Sequence, residues 1–385
     1  MRRDDAAGRN HVTLPIDCCT MRADTPRALP RHADSAAQTE REWIAHLIAI
    51  NVPDAAVERL LAARGVEGVR ADRAIRRAHD DVLRARRILD GERRKVKWLF
   101  RIDAELAKMT RPPGEVPRVP YTSVQDVRRY YAANAPAVFT GMCDRWNALS
   151  WTPRLFAERY GDERIEVETR RGHLPDLFAG GGTESAPVLL RTFMETLDAA
   201  DAATGYLVSR NGFMQDERFA ALYDDLAPLP KILNPAPAML HGGTHLWFGG
   251  KGTETELHHD GNNILFVQLH GRKRFRLVPP YALFDVYPSA GVWSANRHCA
   301  SDDPQFPDSH DMEVCEVIVG PGEALLIPVG WWHHVLALDV SISLSFTNFY
   351  WPNYFGHPQE KKGWRGWPMP QPPADAGATA RSRAL

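Results

Sequence analysis

The first third of the chain carries hydrophobic residues at helical spacing, beginning at about residue 40. The residues at this spacing are Trp43, Ile44, Leu47, Ile48, Val57, Leu60 and Leu61. Pro53 and Gly65 stand where a second helix would begin and end. A longer helix is predicted from about Ala71 to Lys108, either continuous or broken near Gly91. Residues 40–113 are therefore predicted to form a helical accessory domain.

Beyond a breaker sequence at residues 111–114, the pattern changes to short strand-like segments between glycine and proline turns. After residue 200 these segments are Tyr206–Ser209, His245–Phe248, Ile264–Leu269, Arg274–Val278, Val314–Val319, Ala324–Ile327, Val335–Leu338 and Ser341–Phe349. Before them, Ser123 and Thr152–Pro153 mark helix starts, and Ala137–Thr140 a short strand. This order predicts a mainly β fold, an antiparallel jelly roll with flanking helices, over residues 114–355.

The two ends of the chain lack hydrophobic periodicity. Residues 1–39 and the Pro-, Gly- and Ala-rich residues 356–385 are predicted to be disordered tails. No apolar stretch follows the amino-terminal arginines, so no signal peptide is predicted, and Met21 is an alternative start to Met1. The five cysteines form no C-x-x-C pair, which favours a reducing, cytoplasmic location. The apolar runs are far shorter than the roughly 20 residues of a membrane span, so no membrane partner is expected.

The charges almost cancel over the whole chain. Forty-seven basic and 48 acidic residues leave a net charge of −1, which argues against a general nucleic-acid binder. Residues 70–101 nevertheless hold 12 basic and five acidic residues. This segment is interpreted as the solvated face of a helix that packs through its apolar residues, or as a surface for an acidic partner or a nucleic acid. It could also recruit substrate or form a homodimer interface.

Nine of the 15 histidines lie between His241 and His334. Among them, His258 and Asp260 are two residues apart on a predicted strand, so their side chains point to one face and can reach one ion. A second histidine is supplied by His333 or His334, and strand alternation does not choose between them. Two histidines and one carboxylate form the facial triad of non-haem Fe(II) oxygenases.

Two further polar residues lie on apolar strand faces. Lys273 shares a face with Phe275 and Leu277, and a lysine directed into a barrel is costly unless it meets an anion. The alternative is a lysine that extends its ammonium to solvent at the barrel mouth. Asn348 shares a face with Ile342, Leu344 and Phe346, either as a satisfied structural amide or as a contact to a co-substrate.

Several segments together resemble the cupin-like JmjC family of Fe(II)- and 2-oxoglutarate-dependent oxygenases, and among its members the asparaginyl hydroxylase that inhibits hypoxia-inducible factor. The segments are Leu246–Gly249, Thr255–Asp260, Gly271–Arg274 and Pro328–His333, within a similarity that covers about residues 115–355. The resemblance implies a double-stranded β-helix that uses Fe(II), 2-oxoglutarate and O2.

The resemblance also implies roles for individual residues. His258, Asp260 and His333 match the iron ligands of the family, and Lys273 matches the lysine that pairs with the distal carboxylate of 2-oxoglutarate. Three further residues match co-substrate contacts, namely Asn348, Thr255 and Tyr206. Simple alternation places Thr255 on the face opposite His258, so its role requires a bend in the strand.

One position departs from the family pattern. The family usually has an asparagine six residues after the first histidine, where this chain has Ile264, directly after Asn262 and Asn263. Either a small shift restores the contact, or that end of 2-oxoglutarate is held differently.

The activity that the resemblance implies is hydroxylation of an unactivated C–H bond, with formation of succinate and CO2. The leading hypothesis is a hydroxylase that acts on a protein or peptide side chain. The second is an oxygenase that tailors a small molecule, such as a natural product or a nucleoside. The third is a metal-binding cupin without catalysis, and Lys273 argues against it because a mere metal cup needs no co-substrate anchor.

Overall fold

The computed structural model divides the chain into two units, one ending at Trp98 and the next beginning at Leu99. It describes residues 33–109, 112, 114–169, 184–197, 205–289, 291–353 and 355. The predicted tails lie outside the described residues, except that residues 33–39 belong to a helix. Residue 113, the predicted domain boundary, also lies outside them.

The first unit is helical. It consists of α1 (Ala33–Ala49), α2 (Asp54–Ala62) and most of α3 (Val69–Lys108), which continues through Gly91 without a break. Its core is formed by Ile44, Ile48, Val57, Leu61, Val66, Ala71, Ile75 and Ala78. The hydrophobic periodicity therefore identified all three helices. The later apolar residues of α3 do not pack as expected, since Ile88, Leu89 and Trp98 are each at least 60% exposed.

The second unit begins inside α3 and holds the remaining helices and all strands of the described residues. Its helices are α4 (Val124–Ala132), α5 (Pro153–Tyr160), α6 (Leu190–Thr196) and α7 (Pro237–Gly243). Its strands are β1 (Arg118–Pro120), β2 (Ala137–Thr140), β3 (Arg164–Thr169), β4 (Glu184–Leu189), β5 (Gly205–Leu207), β6 (Thr244–Gly249), β7 (Glu254–His258), β8 (Ile264–His270), β9 (Lys273–Val278), β10 (Cys315–Val319), β11 (Ala324–Ile327), β12 (Trp332–Ala337) and β13 (Ser341–Phe346).

The strands form two sheets. The large sheet has the order β1-β2-β11-β8-β13-β6-β5-β3-β4, and the small sheet has the order β10-β9-β12-β7. Strands β6 to β13 are shared equally between the two sheets, four in each, and all their pairings are antiparallel. The chain crosses to the other sheet after every strand except β9, which is followed by its neighbour β10 in the small sheet. This is the jelly-roll topology of a double-stranded β-helix. The predicted mainly β fold is confirmed.

The large sheet is buried on both faces. One face packs under the helices, with Val127 of α4 and Phe156 of α5 in the same cluster as Leu344 of β13. The other face meets the small sheet, where Phe266 of β8 packs in one cluster with Phe275 of β9. The space between the two sheets is where a site can form.

Local signals in the sequence explain where the flanking helices begin. The Thr152 hydroxyl accepts a hydrogen bond from the backbone N–H of Leu155 at 3.2 Å, and Pro153 occupies the first helical position of α5. The Ser123 side chain and Asp126 form a capping box at the start of α4. Among the helices of the described residues, none combines the length and apolar character that a membrane crossing requires.

The turn between β8 and β9 depends on a glycine. Gly271 has a φ of +66°, and a Cβ atom there would lie 2.1 Å from the carbonyl oxygen of Val340. We expect Gly271→Ala to lower the free energy of unfolding, measured in urea, by about 3 kcal/mol, since strain at positive φ adds to a backbone clash. Gly322 is the matched control, because its φ is +84° and nothing lies within 4 Å of its added Cβ. If both variants lost the same free energy of unfolding, the contact between the added Cβ atom and the Val340 carbonyl oxygen would not contribute to the loss.

Candidate active site

Three metal-binding side chains meet on the small sheet, at its face toward the large sheet. His258 ends β7, Asp260 follows two residues later, and His333 lies on β12 directly opposite His258. The Asp260 Oδ2 atom is 3.3 Å from His333 Nε2 and 3.8 Å from His258 Nε2. One donor atom from each residue lies within 4.8 Å of the others. The predicted ligands are therefore in one place, and two imidazoles with one carboxylate are a donor set that suits Fe(II).

The backbone orients both histidines toward this point. The Nδ1 atom of His258 is 2.8 Å from the carbonyl oxygen of Glu256, and Nδ1 of His333 is 3.0 Å from that of Trp331. A carbonyl can only accept, so each Nδ1–H donates to it. With Nδ1 protonated, Nε2 is the atom of each histidine that would bind a metal, and binding would release any proton that it carries in the metal-free protein.

The carboxyl group of Asp260 is ionised at neutral pH. Burial raises its pKa, but the hydrogen bond with His333 and the charges of His258 and His333 outweigh that effect. The result is a pKa below the usual range of an aspartic acid. A metal would therefore meet a negative ligand that offsets part of its charge.

A β-bulge resolves the position of Thr255. His258 pairs with His333 and Thr255 pairs with Val335, so three steps along β7 match two steps along β12. The extra residue on β7 restores Thr255 to the same side of the sheet as His258. Both residues line the same cavity. The bend that the family resemblance required is present in the strand.

The cavity between the sheets has a volume of about 450 Å³. His258, Asp260 and His333 line it, together with Tyr206, Thr255 and Lys273. This places all predicted site residues in one cavity, with the exception of Asn348. Such a volume lies within the range of small-molecule sites, about 300–1,000 Å³.

Lys273 is buried inside this cavity rather than extended to solvent. It is 1% exposed, and its ammonium donates hydrogen bonds to the hydroxyls of Tyr206 at 3.1 Å and Ser343 at 3.0 Å. Within the described part of the chain, Lys273 takes part in no ion pair. Burying a cation with only neutral partners is costly, which favours a bound anion here. A carboxylate of 2-oxoglutarate fits this requirement.

The structure places Asn348 elsewhere. Its Nδ2 atom donates to the carbonyl oxygen of Asn234 at 2.8 Å, on the buried side of the sheet under the helices. The opposite side of β13 and of the residues that directly follow it faces the cavity, through Ser345 and Thr347. Because the large sheet is buried on both faces, the apolar face of β13 is the one against the helices. The geometry therefore favours the structural amide over the co-substrate contact, which stays a prediction.

This placement leads to a test of Asn348. We expect Asn348→Ala to lower the free energy of unfolding by about 1–3 kcal/mol, because it leaves the buried carbonyl of Asn234 without its donor. The apparent affinity for 2-oxoglutarate, measured by calorimetry, should stay within about twofold of the unmodified protein. Ser343→Ala is the comparison, since Ser343 contacts Lys273. A loss of affinity in Asn348→Ala without a loss of stability would contradict the structural role.

The departure at Ile264 has a structural counterpart. Asn263 is fixed in a network, accepting from the backbone N–H of Val329 at 3.0 Å and donating to Asn353 at 2.9 Å. Asn262 and Ile264 line the cavity instead. Asn262 is therefore the amide that reaches the cavity near this position.

The amino-acid sequence of this chain also matches a described protein family. Residues 123–357, more than half of the chain, match the model of a family described as the cupin-like domain. The chain belongs to the cupin-like JmjC family. This family contains iron-dependent oxidoreductases, and the paired sheets described above are its expected fold.

Curated relatives of this cupin-like protein carry related names. It is 28% identical to the lysine-specific demethylase JMJ30 of Arabidopsis thaliana, over 59% of this chain and 52% of that protein. It is 27% identical to lysine-specific demethylase 8 of Xenopus tropicalis, over 60% and 52%. It is 23% identical to the bifunctional arginine demethylase and lysyl-hydroxylase psr-1 of Caenorhabditis elegans, over 63% and 64%. The match thus spans about half the length of the first two relatives.

Sequence reasoning missed two aromatic residues in the cavity of this cupin-like protein. Trp293 stacks on His258 with ring centroids 4.8 Å apart, and it comes from an irregular segment without a pattern. His245 lines the cavity from β6, and burial lowers its pKa. Its place in the cavity could have been predicted from the sequence. His245 precedes the buried Leu246 and therefore belongs to the opposite face of β6.

Proposed function

We propose that this protein is an Fe(II)- and 2-oxoglutarate-dependent oxygenase that hydroxylates an unactivated C–H bond on a protein or peptide side chain. The observation that carries the proposal is one cavity that holds both a two-histidine, one-carboxylate cluster and a buried lysine without an ion-pair partner among the described residues. The first suits Fe(II), and the second suits a dicarboxylate co-substrate. A cupin that only stores a metal has no use for the second feature.

The polar residues of the cavity have separate roles in this proposal. His258, Asp260 and His333 would hold Fe(II) through two Nε2 atoms and a carboxylate. Lys273 would bind the distal carboxylate of 2-oxoglutarate, assisted by the hydroxyls of Tyr206 and Thr255. When bound, Fe(II) with 2-oxoglutarate and O2 supplies the oxidation that yields succinate, CO2 and a hydroxylated product.

The cavity walls contribute orientation and exclusion of water. Phe266, Phe275 and Ile327 line its inner end, so that the ammonium of Lys273 lies among apolar side chains. In such surroundings a carboxylate is bound more strongly than in water. Val292 and Trp293 line the cavity beside His258, and they limit the space from which a substrate C–H group can approach.

A protein or peptide substrate is supported by the names of the relatives, which refer to lysine and arginine residues. The side chain of Asp260 is 38% exposed, so the cluster can be reached from outside at this residue, which a peptide side chain requires. Cytoplasmic location and an accessory role for residues 40–113 are part of the same proposal. A homodimer through that region stays a prediction.

The decisive experiment compares proteomes with and without the protein. Lysates of a deletion strain, incubated with the purified protein, Fe(II) and 2-oxoglutarate, are searched by mass spectrometry for gains of 16 Da. Peptides modified only when Asp260 is intact would support the proposal. A loss of 14 Da per site with release of formaldehyde would identify a demethylase instead. A modified metabolite without modified peptides would favour the small-molecule alternative, and absence of 2-oxoglutarate binding would leave the non-catalytic cupin.

A further inference from the structure

A second cluster of metal-binding side chains lies on the small sheet, on the face turned away from the cavity. Successive strand residues point to opposite faces, so His334 leaves β12 on the side opposite His333. Glu254 begins the neighbouring strand β7, beside Leu336 of β12. His298 comes from the segment between β9 and β10 and completes the group. This cluster is separate from the proposed iron site.

The imidazoles of His298 and His334 converge on one carboxylate oxygen of Glu254. The Nδ1 atom of His298 is 2.7 Å from Glu254 Oε1, and Nε2 of His334 contacts the same oxygen. One donor atom from each residue lies within 4.8 Å of the others. His334 is 3% exposed and held in place, whereas the side chains of Glu254 and His298 are 30% and 68% exposed. Solvent can therefore complete a coordination sphere.

The carboxyl group of Glu254 is available as an anionic ligand. Its Oε1 atom is in hydrogen-bond contact with both imidazoles, and a metal would take the place of the shared protons. A neutral imidazole nitrogen and a carboxylate oxygen are the forms that bind a divalent metal.

This arrangement differs from the ordinary histidine–carboxylate pairs of the molecule. His79 with Asp54 and His310 with Asp311 each join one imidazole to one carboxylate at the surface. Among the described residues, only two groups combine three metal-binding side chains, namely this one and the proposed iron site. The outer group offers two imidazoles and one glutamate carboxylate, and with solvent in the remaining position Zn²⁺ also accepts this set.

We propose that Glu254, His298 and His334 form a second divalent-metal site, which takes Zn²⁺ or a metal of similar preference. The inference stands independently of the proposed oxygenase function, because no residue is shared between the two sites. The metal joins β7, β12 and the segment of His298. In this segment the carbonyl oxygen of Arg297 also accepts a hydrogen bond from the backbone N–H of Leu257 in β7, at 2.7 Å.

The same segment carries Trp293, whose ring stacks on His258. Its neighbour Val292 accepts a hydrogen bond at its carbonyl oxygen from the backbone N–H of His259, at 3.0 Å. A metal on the outer face therefore fixes the segment that walls the cavity on the inner face. Its role is structural, and it supports the position of Trp293.

The test uses full-length Asp260→Ala, in which the inner cluster has lost its carboxylate. Zn²⁺ is added to the metal-free protein, and binding is measured by calorimetry and by metal analysis after dialysis. We expect tight binding of one equivalent at the outer cluster and a rise in Tm of several degrees. Adding His298→Ala removes both effects, and X-ray absorption at the zinc edge shows two imidazole nitrogens only when His298 is present. The exposure of His298 makes loss of folding an unsuitable explanation for the change.

The matched control is His310→Ala, in the same background. His310 is likewise an exposed histidine beside a carboxylate, but it belongs to no three-residue cluster among the described residues. Zinc bound elsewhere in the chain contributes equally to all variants and cancels in the comparison. The proposal is overturned if Asp260→Ala with and without His298→Ala bind the same amount of Zn²⁺. It is also overturned if the affinity is lost equally in the His310 control.

Discussion

Replacing either His258 or Asp260 by alanine should reduce substrate-dependent succinate formation to background. Each residue supplies one of the three donor atoms that lie within 4.8 Å of one another. Without it, the remaining pair binds Fe(II) weakly and cannot keep the co-substrate in position. Succinate is measured by mass spectrometry in lysates that contain the substrate, and Fe(II) binding is measured by anaerobic calorimetry on the same variants.

His259 provides the control for this prediction. It lies between the two proposed ligands in sequence, but its ring packs on Trp332, with centroids 4.6 Å apart, and it does not line the cavity. His259→Ala should therefore keep Fe(II) binding and most of the succinate formation. Normal turnover by His258→Ala or Asp260→Ala would rule out the proposed iron site.

The second large effect is expected at Lys273. Lys273→Ala should weaken 2-oxoglutarate binding at least about 30-fold, because losing one partner of a buried charge pair costs about 2–5 kcal/mol, and about 1.4 kcal/mol is a factor of ten. Fe(II) binding should be unchanged, since Lys273 contacts Tyr206 and Ser343 rather than the proposed ligands. Calorimetry with each ligand separates the two effects.

A second substitution at the same position tests the physical reason. Lys273→Met replaces a buried cation by an apolar chain of similar length, so the ligand-free protein should be as stable as the unmodified one or more stable. Added 2-oxoglutarate should raise the Tm of the unmodified protein but not that of Lys273→Met. The exposed Lys251 serves as the control. If Lys273→Ala bound 2-oxoglutarate normally, the proposed co-substrate site would be incorrect.

Much of the site could be predicted from short-range rules. The spacing of His258 and Asp260 on a strand places them on one face, and alternation along β9 places Lys273 among apolar residues facing inward. The choice of His333 over His334 needed the family resemblance, since both residues of β12 are buried. Hydrophobic periodicity alone does not distinguish the two faces of a strand that is covered on both sides.

The same limitation left the role of Asn348 open between a structural amide and a co-substrate contact. Along β13 the apolar residues pack under the helices, and the small polar residues face the cavity. A rule that places apolar residues toward the barrel interior selects the incorrect face here. Strand β3, with Glu166 and Glu168 in alternation with Ile165 and Val167, was not predicted. It pairs with β4 on one side and β5 on the other, and its Glu168 is buried, which a pattern of exposed charges does not indicate.

The β-bulge in β7 sets an odd separation between a proposed co-substrate residue, Thr255, and a proposed iron ligand, His258. Thr255 and His258 are three residues apart, although a regular strand would require two or four for the same face. A motif search that assumes a regular strand would therefore not place Thr255 beside His258. Conversely, an insertion or deletion of one residue between Thr255 and His258 would leave both sheets formed. It would turn these two side chains to different sides of the small sheet. Whether Thr255 and His258 face the same cavity thus depends more on the number of residues between them than on which residues these are.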